Sequence, residues 1–325
     1  MITPAVRRHI DVVATLSLDT SRSRLTGNNG GCTAPALWGT NSPVTPVRGE
    51  STDMQYVRPF DPDKAVDAGF PRFRAQVLSH LESALMMSSH IKEGGCGPGL
   101  HYHRSDQLYY LIEGLMNIQL GTDIHHIRAE TFVFIPPGLA HRNWNEGPGD
   151  ETHLEMMIPA PAPMAPLTIM VDSPDDVPAA DRSDRHGYAR PIDRGQLKEP
   201  LPGLRAQSLG DPRSGSLHAV VYYTEINAGS AGPDTHIHEF EQYYLVLDGE
   251  LTVELPLEKH VVSSRELVVV PAGVPHRQYN TGAATERHLS VSAPPPEPGK
   301  PWDRGVDVTA NGHDITGSQS IFKPA

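Results

Sequence analysis

Six histidines carry the first chemical signal in this sequence. His101 and His103 are separated by one residue, as are His236 and His238, and His141 and His276 each follow the second member of a pair by 38 positions. Alternate residues of a strand face one side, so His101 and His103 should project together, with Gln107 sharing their parity. His141 arrives after the turn Pro136-Pro137-Gly138, which sets where its backbone sits. Three imidazoles and a side-chain carbonyl converging inside a barrel would make a first-row metal site with open positions. The second set is His236, His238, Gln242 and His276. A lone buried histidine is ordinarily a hydrogen-bonded structural residue. A pair at strand spacing, with a third at equal separation in two places, is hard to explain that way.

These residues sit in a repeat with a fixed offset of 135. HYHRSDQLYYLIEG (101–114) matches HIHEFEQYYLVLDG (236–249), and PPGLAHRNWN (136–145) matches PAGVPHRQYN (271–280). Glu151 and His153 match Glu286 and His288. The elements that must position the histidines are short strands ended by turns, as in QLYYLIEG, QYYLVLDG, TFVFIPPG and ELVVVPAG. SALMMSSHI and HAVVYYTEI form similar runs ahead of each first motif. Helical periodicity is scarce, with AVRRHIDVVATL and RFRAQVLSHLES as candidates. The expected class is all-β, two tandem barrels with an N-terminal arm. The expected bounds are an arm over 1–54, a first barrel over 55–160, a Pro- and Asp-rich linker over 161–189, a second barrel over 190–295 and a tail over 296–325. Residues 19–52, rich in Gly, Ser, Thr, Asn and Pro, read as poorly ordered or draped on a partner domain.

On these motifs the chain resembles a bicupin, with two double-stranded β-helix (jelly-roll) domains. The family's first motif, G-x5-H-x-H-x3-E-x6-G, is matched by Gly95, His101, His103, Gln107 and Gly114, with Gln in place of Glu. The P-x-G-x2-H-x3-N part of the second motif is complete in both copies, but Glu130 and Arg265 stand where its first Gly belongs. Ser230 replaces the early Gly of the second copy. The resemblance implies one divalent transition metal per domain. Fe(II) is the favoured ion, and Mn, Ni, Zn and Co suit the same donors.

The Gln at 107 and 242 has a definite chemical meaning. The neighbouring acids Asp106 and Glu241 should face the opposite side unless a bulge intervenes. A shell of three neutral His and one Gln leaves the full +2 on the ion, which favours anionic substrates such as carboxylates, enolates and phenolates. An amide oxygen is a weak, displaceable ligand and cannot serve as a base at neutral pH. Tyr109 and Tyr244 share the inward parity and are candidates for proton transfer, with aromatic packing as the alternative. His153 and His288, recurring at the repeat offset, are further catalytic candidates or else structural. Arg142 and Arg277 should face away from the metal, His125-His126 reads as a solvated loop, and Cys96 reads as a small buried hydrophobe.

Fold alone does not choose a reaction. The leading expectation is an Fe(II)-type dioxygenase acting on a small anionic, enolic or phenolic substrate. The runner-up is a non-redox isomerase or lyase/decarboxylase, since the donor set resembles those of the bicupin isomerase of bacilysin assembly and of cupins converting unsaturated uronates. A storage or ligand-binding bicupin ranks last, because such proteins typically lose the ligands retained here.

Composition narrows the partners. A net charge of −12 leaves no overall basic footprint for nucleic acid, and two cysteines among 325 residues are too few for a disulfide scaffold. Thirty-one prolines and 29 glycines suit many turns. No apolar run suits a membrane span, and Arg7-Arg8 precedes a segment too polar for a signal peptide. A soluble, cytoplasmic protein is expected. Exposed jelly-roll edges would be covered by pairing into a homodimer, or by the two barrels covering each other.

Overall fold

A computed structural model describes residues 55–162, 165–309 and 312–314. The N-terminal arm, with its helical candidate AVRRHIDVVATL and Cys32, lies outside the described residues, as do 315–325 of the tail. Among the described residues the chain is built from strands and three 3-10 turns, with no α-helix.

Strands that alternate between two buried faces dictate the architecture. In Asp106–Glu113, Leu108 and Tyr110 point one way, while Tyr109 and Leu111 point the other. Both sets are covered, which is why the run reads as almost continuously apolar instead of alternating. The inner set lines a barrel with Met116, Ile118 and Val133. The outer set meets the equivalent strand of the second half, Glu241–Asp248, whose Tyr243 and Leu245 point back at it. Phe132, Phe134, Leu267 and Val269 complete this shared core. Each such side chain contributes about 1.5–3 kcal/mol by leaving water, so the two barrels stabilise one another.

Each half has a seven-stranded antiparallel sheet with the same strand order, shifted by the repeat offset. In the first half Thr131–Ile135, Asp106–Glu113, Glu151–Ile158 and Leu85–Ile91 are neighbours in that order. In the second half they are Glu266–Val270, Glu241–Asp248, Glu286–Ala293 and Val220–Ile226. A smaller sheet faces each one. It contains His101–Tyr102, His141–Trp144 and Leu115–Leu120 in the first half, and Glu250–Glu254 with Arg277–Tyr279 in the second. This is the tandem jelly roll expected from the sequence.

The halves also exchange edge strands. Val57–Pro59 pairs with Glu266–Val270 of the second sheet, and Tyr188–Pro191 pairs with Thr131–Ile135 of the first. Two further short strands, Ile169–Met170 and Arg304–Gly305, pair with the strands carrying His101 and His236.

The segment RFRAQVLSHLES is not helical, and Phe73–His80 is instead a strand paired with Leu85–Ile91. Phe73, Ala75 and Leu78 fit a helical stripe about as well as an alternating one. Pairing with a central strand decides between them, as tertiary context commonly does. His125 and His126 lie on the edge strand Asp123–Arg128 and not in a loop.

Glu130 and Arg265, which replace the motif glycine, keep the backbone that glycine would adopt, with φ of 63° and 66°. That conformation costs an L-residue about 1–2 kcal/mol. Each side chain reaches the other half, Glu130 to Arg194 at 2.6 Å and Arg265 to Glu113. Gly114 is a position that only glycine fits: its φ is +83°, and a Cβ would lie 2.4 Å from the Asp150 carbonyl.

Candidate metal centres

His101 and His141 lie on strands of the first small sheet and His236 on the short strand His236–Ile237, whereas Gln107 and Gln242 lie on strands of the large sheets. His141 pairs in register with His101, and an isolated bridge joins His236 to His276. The side-chain nitrogens of His101, His103 and His141 lie within 4.8 Å of one another, as do those of His236, His238 and His276, and all six residues are buried. Gln107 pairs with Ile135 and Met157 on the facing large sheet, and Gln242 with Val270 and Ser292.

The tautomers follow from the hydrogen bonds. His101 Nδ1 donates to the Gly99 carbonyl at 2.7 Å, His141 Nδ1 to Leu139 at 2.8 Å, and His103 Nδ1 to Leu167. In the second half His236 Nδ1 donates to Asp234 at 2.8 Å, His238 Nδ1 to Phe240 at 2.6 Å, and His276 Nδ1 to Val274 at 3.0 Å. A neutral imidazole has one N–H, so every Nε2 is left as a lone pair. Those lone pairs converge. His101 Nε2 lies 3.2 Å from His103 Nε2, and His141 Nε2 is buried without a hydrogen-bond partner.

The second group adds an oxygen to this convergence. Gln242 Oε1 lies 2.8 Å from His238 Nε2 and 3.1 Å from His276 Nε2. It also accepts from the Tyr244 hydroxyl at 2.8 Å. Acceptors facing acceptors repel unless a cation sits among them, and a divalent ion is what this donor set fits. Gln107 Oε1 is buried and unpartnered, while its Nε2 donates to Glu155 at 2.6 Å. Burial, with the neighbouring imidazoles, keeps these histidines neutral. His141 is pushed down to about 3, His238 to about 4, and His101 and His276 well below the ordinary imidazole value.

The remaining expected residues surround these groups. Asp106 and Glu241 point out of the barrels, Asp106 to Arg185 and His218, and Glu241 to Ser83 and Tyr243. Arg142 binds Gln119 and Arg277 binds Glu254, both away from the histidines. Tyr109 packs on His153 with ring centroids 4.9 Å apart, and Tyr244 lies 5.4 Å from His288. His153 Nδ1 bonds Glu151 at 3.0 Å, and His288 Nδ1 bonds Glu286 at 2.9 Å, two buried pairs at the repeat offset. Burial works to lower the His153 pKa, but Glu151 and Glu155 together raise it. Cys96 is buried.

Two carboxylates near the sites escaped the sequence reading. Glu155 shares inward parity with His153 and accepts from Gln107 and Ser89, whereas the equivalent position of the second half is Ser290, which accepts from Gln242 Nε2 at 3.1 Å. Asp303 lines a cavity beside the second group, together with Tyr222, Phe240, His288 and Trp302. Neither acid belongs to the three-histidine clusters.

Two facing jelly rolls, each enclosing three convergent imidazoles, define a class of two-barrel β proteins. Residues 87–158 and 222–292 each match the cupin domain family, and the chain is a bicupin of the cupin superfamily. No curated protein matches it. Among solved structures it resembles an oxalate decarboxylase variant from Bacillus subtilis, with a TM-score of 0.54 and 13% identity over 76% of this chain and 79% of that one. It resembles AerE from Microcystis aeruginosa at TM-score 0.55 and 14% identity, covering 74% and 99% of the two chains. It also resembles procruciferin, an 11S globulin from Brassica napus, at TM-score 0.57 and 12% identity over 73% and 83%. At such identities the likeness is one of fold.

Proposed function

We propose that this bicupin is a metal-dependent enzyme, an Fe(II)-type dioxygenase for a small anionic, enolic or phenolic substrate. The observation that carries the reading is the set of six Nδ1-to-carbonyl hydrogen bonds, which leaves six Nε2 lone pairs aimed inward in two groups. Each group, with Gln107 or Gln242, offers an uncharged shell for one ion. A bound Fe(II) would supply a redox centre able to bring substrate and dioxygen together.

The chain's own residues would do the rest. The backbone carbonyls fix the imidazole rings. The Tyr244 hydroxyl and Ser290 hold the Gln242 amide from two sides, so its oxygen points at the histidines. Tyr109, Tyr244, His153 and His288 are the proposed proton-handling residues. The cavity beside the second group, walled by Tyr222, Phe240 and Trp302, gives a planar substrate an apolar wall.

The test is oxygen uptake by protein loaded anaerobically with Fe(II), across a panel of enols and phenols. Uptake that depends on substrate and is lost in His236→Ala supports the reading; no uptake with any member ends it. A second, non-redox reading as isomerase or lyase is favoured by Glu155 and Asp303, since a carboxylate beside each group could move a proton. Turnover that persists without oxygen and with zinc would select it.

A further inference from the structure

The two halves differ at the cavity beside the second histidine group. Asp303 is 6% exposed and lines the second cavity, and its Oδ1 has no hydrogen-bond partner among the described residues. Its backbone is held firmly. Arg304–Gly305 pairs with His236–Ile237, and the Val306 N–H donates to the Thr235 carbonyl at 2.9 Å. An unpaired buried carboxylate oxygen is destabilising, a penalty that an incoming O–H would remove.

The rest of the cavity says what that O–H is attached to. Trp302 meets Phe240 nearly edge-on, centroids 6.5 Å apart at 85°, and lies 6.4 Å from Tyr222. Phe240 in turn stacks on His238 at 4.1 Å and 3°. This aromatic corner suits a planar ring. No lysine or arginine lines the cavity, so a second negative charge on the ligand would meet Asp303 without a counter-charge. In the first half the repeat offset puts Met87, Leu167 and Thr168 where Tyr222, Trp302 and Asp303 stand. Met87 there packs with Leu85 and Met157 in a small apolar cluster.

We propose that Asp303 is the specificity residue of the second site. It receives a hydrogen bond from the protonated oxygen of a planar, singly charged vicinal diol or enediol whose neighbouring oxygen faces the His236 group. The inference rests on the reading of His236, His238, His276 and Gln242 as metal ligands. The first site, with Thr168 at the equivalent position, lacks this selection.

Catechol, and guaiacol with one oxygen methylated, serve as probes of the full chain loaded with zinc, read by tryptophan fluorescence with metal content measured on every sample. Catechol is expected to bind at least about tenfold more tightly than guaiacol, as suits one lost hydrogen bond to a charged group. Asp303→Asn should bring the two probes to within about twofold while metal content stays the same, and Thr168→Ala should change neither. Asp303→Ser is the second variant and should behave like Asp303→Asn. An unchanged catechol preference in both variants with metal retained overturns the role of Asp303 alone. So does failure of the zinc-loaded wild type to bind catechol. Loss of metal on replacing Asp303 also overturns it, by making the residue a ligand. Wild-type protein that takes up no zinc removes the ligand reading beneath it.

Discussion

Gln107 donates its Nε2 hydrogen to Glu155 at 2.6 Å, turning its unpartnered carbonyl oxygen away from the carboxylate. At the equivalent place in the second half, Ser290 receives the bond from Gln242. The two sites therefore share a donor set and differ in the charge behind it.

Removing that carboxylate should loosen the first site alone. In Glu155→Leu the Gln107 amide loses its anchor. Groups that orient a metal ligand are typically worth about 10–100-fold in affinity. Competition with a chromophoric chelator should show one ion released more easily and the other unchanged.

Single ligand removals should act independently. His101→Ala and His236→Ala are each expected to lose about one ion per chain. Tyr109→Phe should keep its full metal content, because its ring packs on His153 instead of joining the cluster. Unequal losses of turnover in the two histidine variants would identify the site where the chemistry occurs.

Acid should destabilise the metal-free protein through these same histidines. His141 and His238 fall to about 3 and about 4 in the folded state because burial disfavours the charged ring. The unfolded chain binds protons near pH 6.5, so between that value and the folded ones it holds more protons than the native state. The stabilisation is complete above about pH 6.5 and is lost as pH falls towards 4. Thermal melts should drop across this window, and His141→Gln should flatten the pH dependence. His153, whose pKa is raised, acts in the opposite sense.

The halves should unfold together. Phe132 is fully buried in the core shared by both large sheets, so Phe132→Ala should cost about 3–5 kcal/mol in one denaturation transition. Asp106 and His218 bond across the halves at 2.8 Å, and Glu241 and Ser83, their equivalents at the repeat offset, bond in the reverse direction. A second transition in wild type or variant would contradict this coupling.

Much of this was legible in the residues themselves. The spacing of His101, His103 and Gln107 is local, and strand parity alone puts Asp106 and Glu241 outside the barrels, where they lie. The strand exchange of Val57–Pro59 and Tyr188–Pro191 was not legible, because pairing with a strand more than fifty residues away leaves no local pattern. Glu155 was hidden by the repeat: matching positions draws attention to what agrees, and Ser290 does not agree with it. Asp303 sits beyond both motifs, in a segment whose proximity to His236 exists only after folding.

Elemental analysis of the protein purified without added metal tests the central claim most directly. About two divalent transition-metal ions per chain are expected, falling to about one in His101→Ala or His236→Ala. No bound ion, even after incubation with Fe(II), Mn(II) or Zn(II), would mean that the convergent imidazoles are not a metal site.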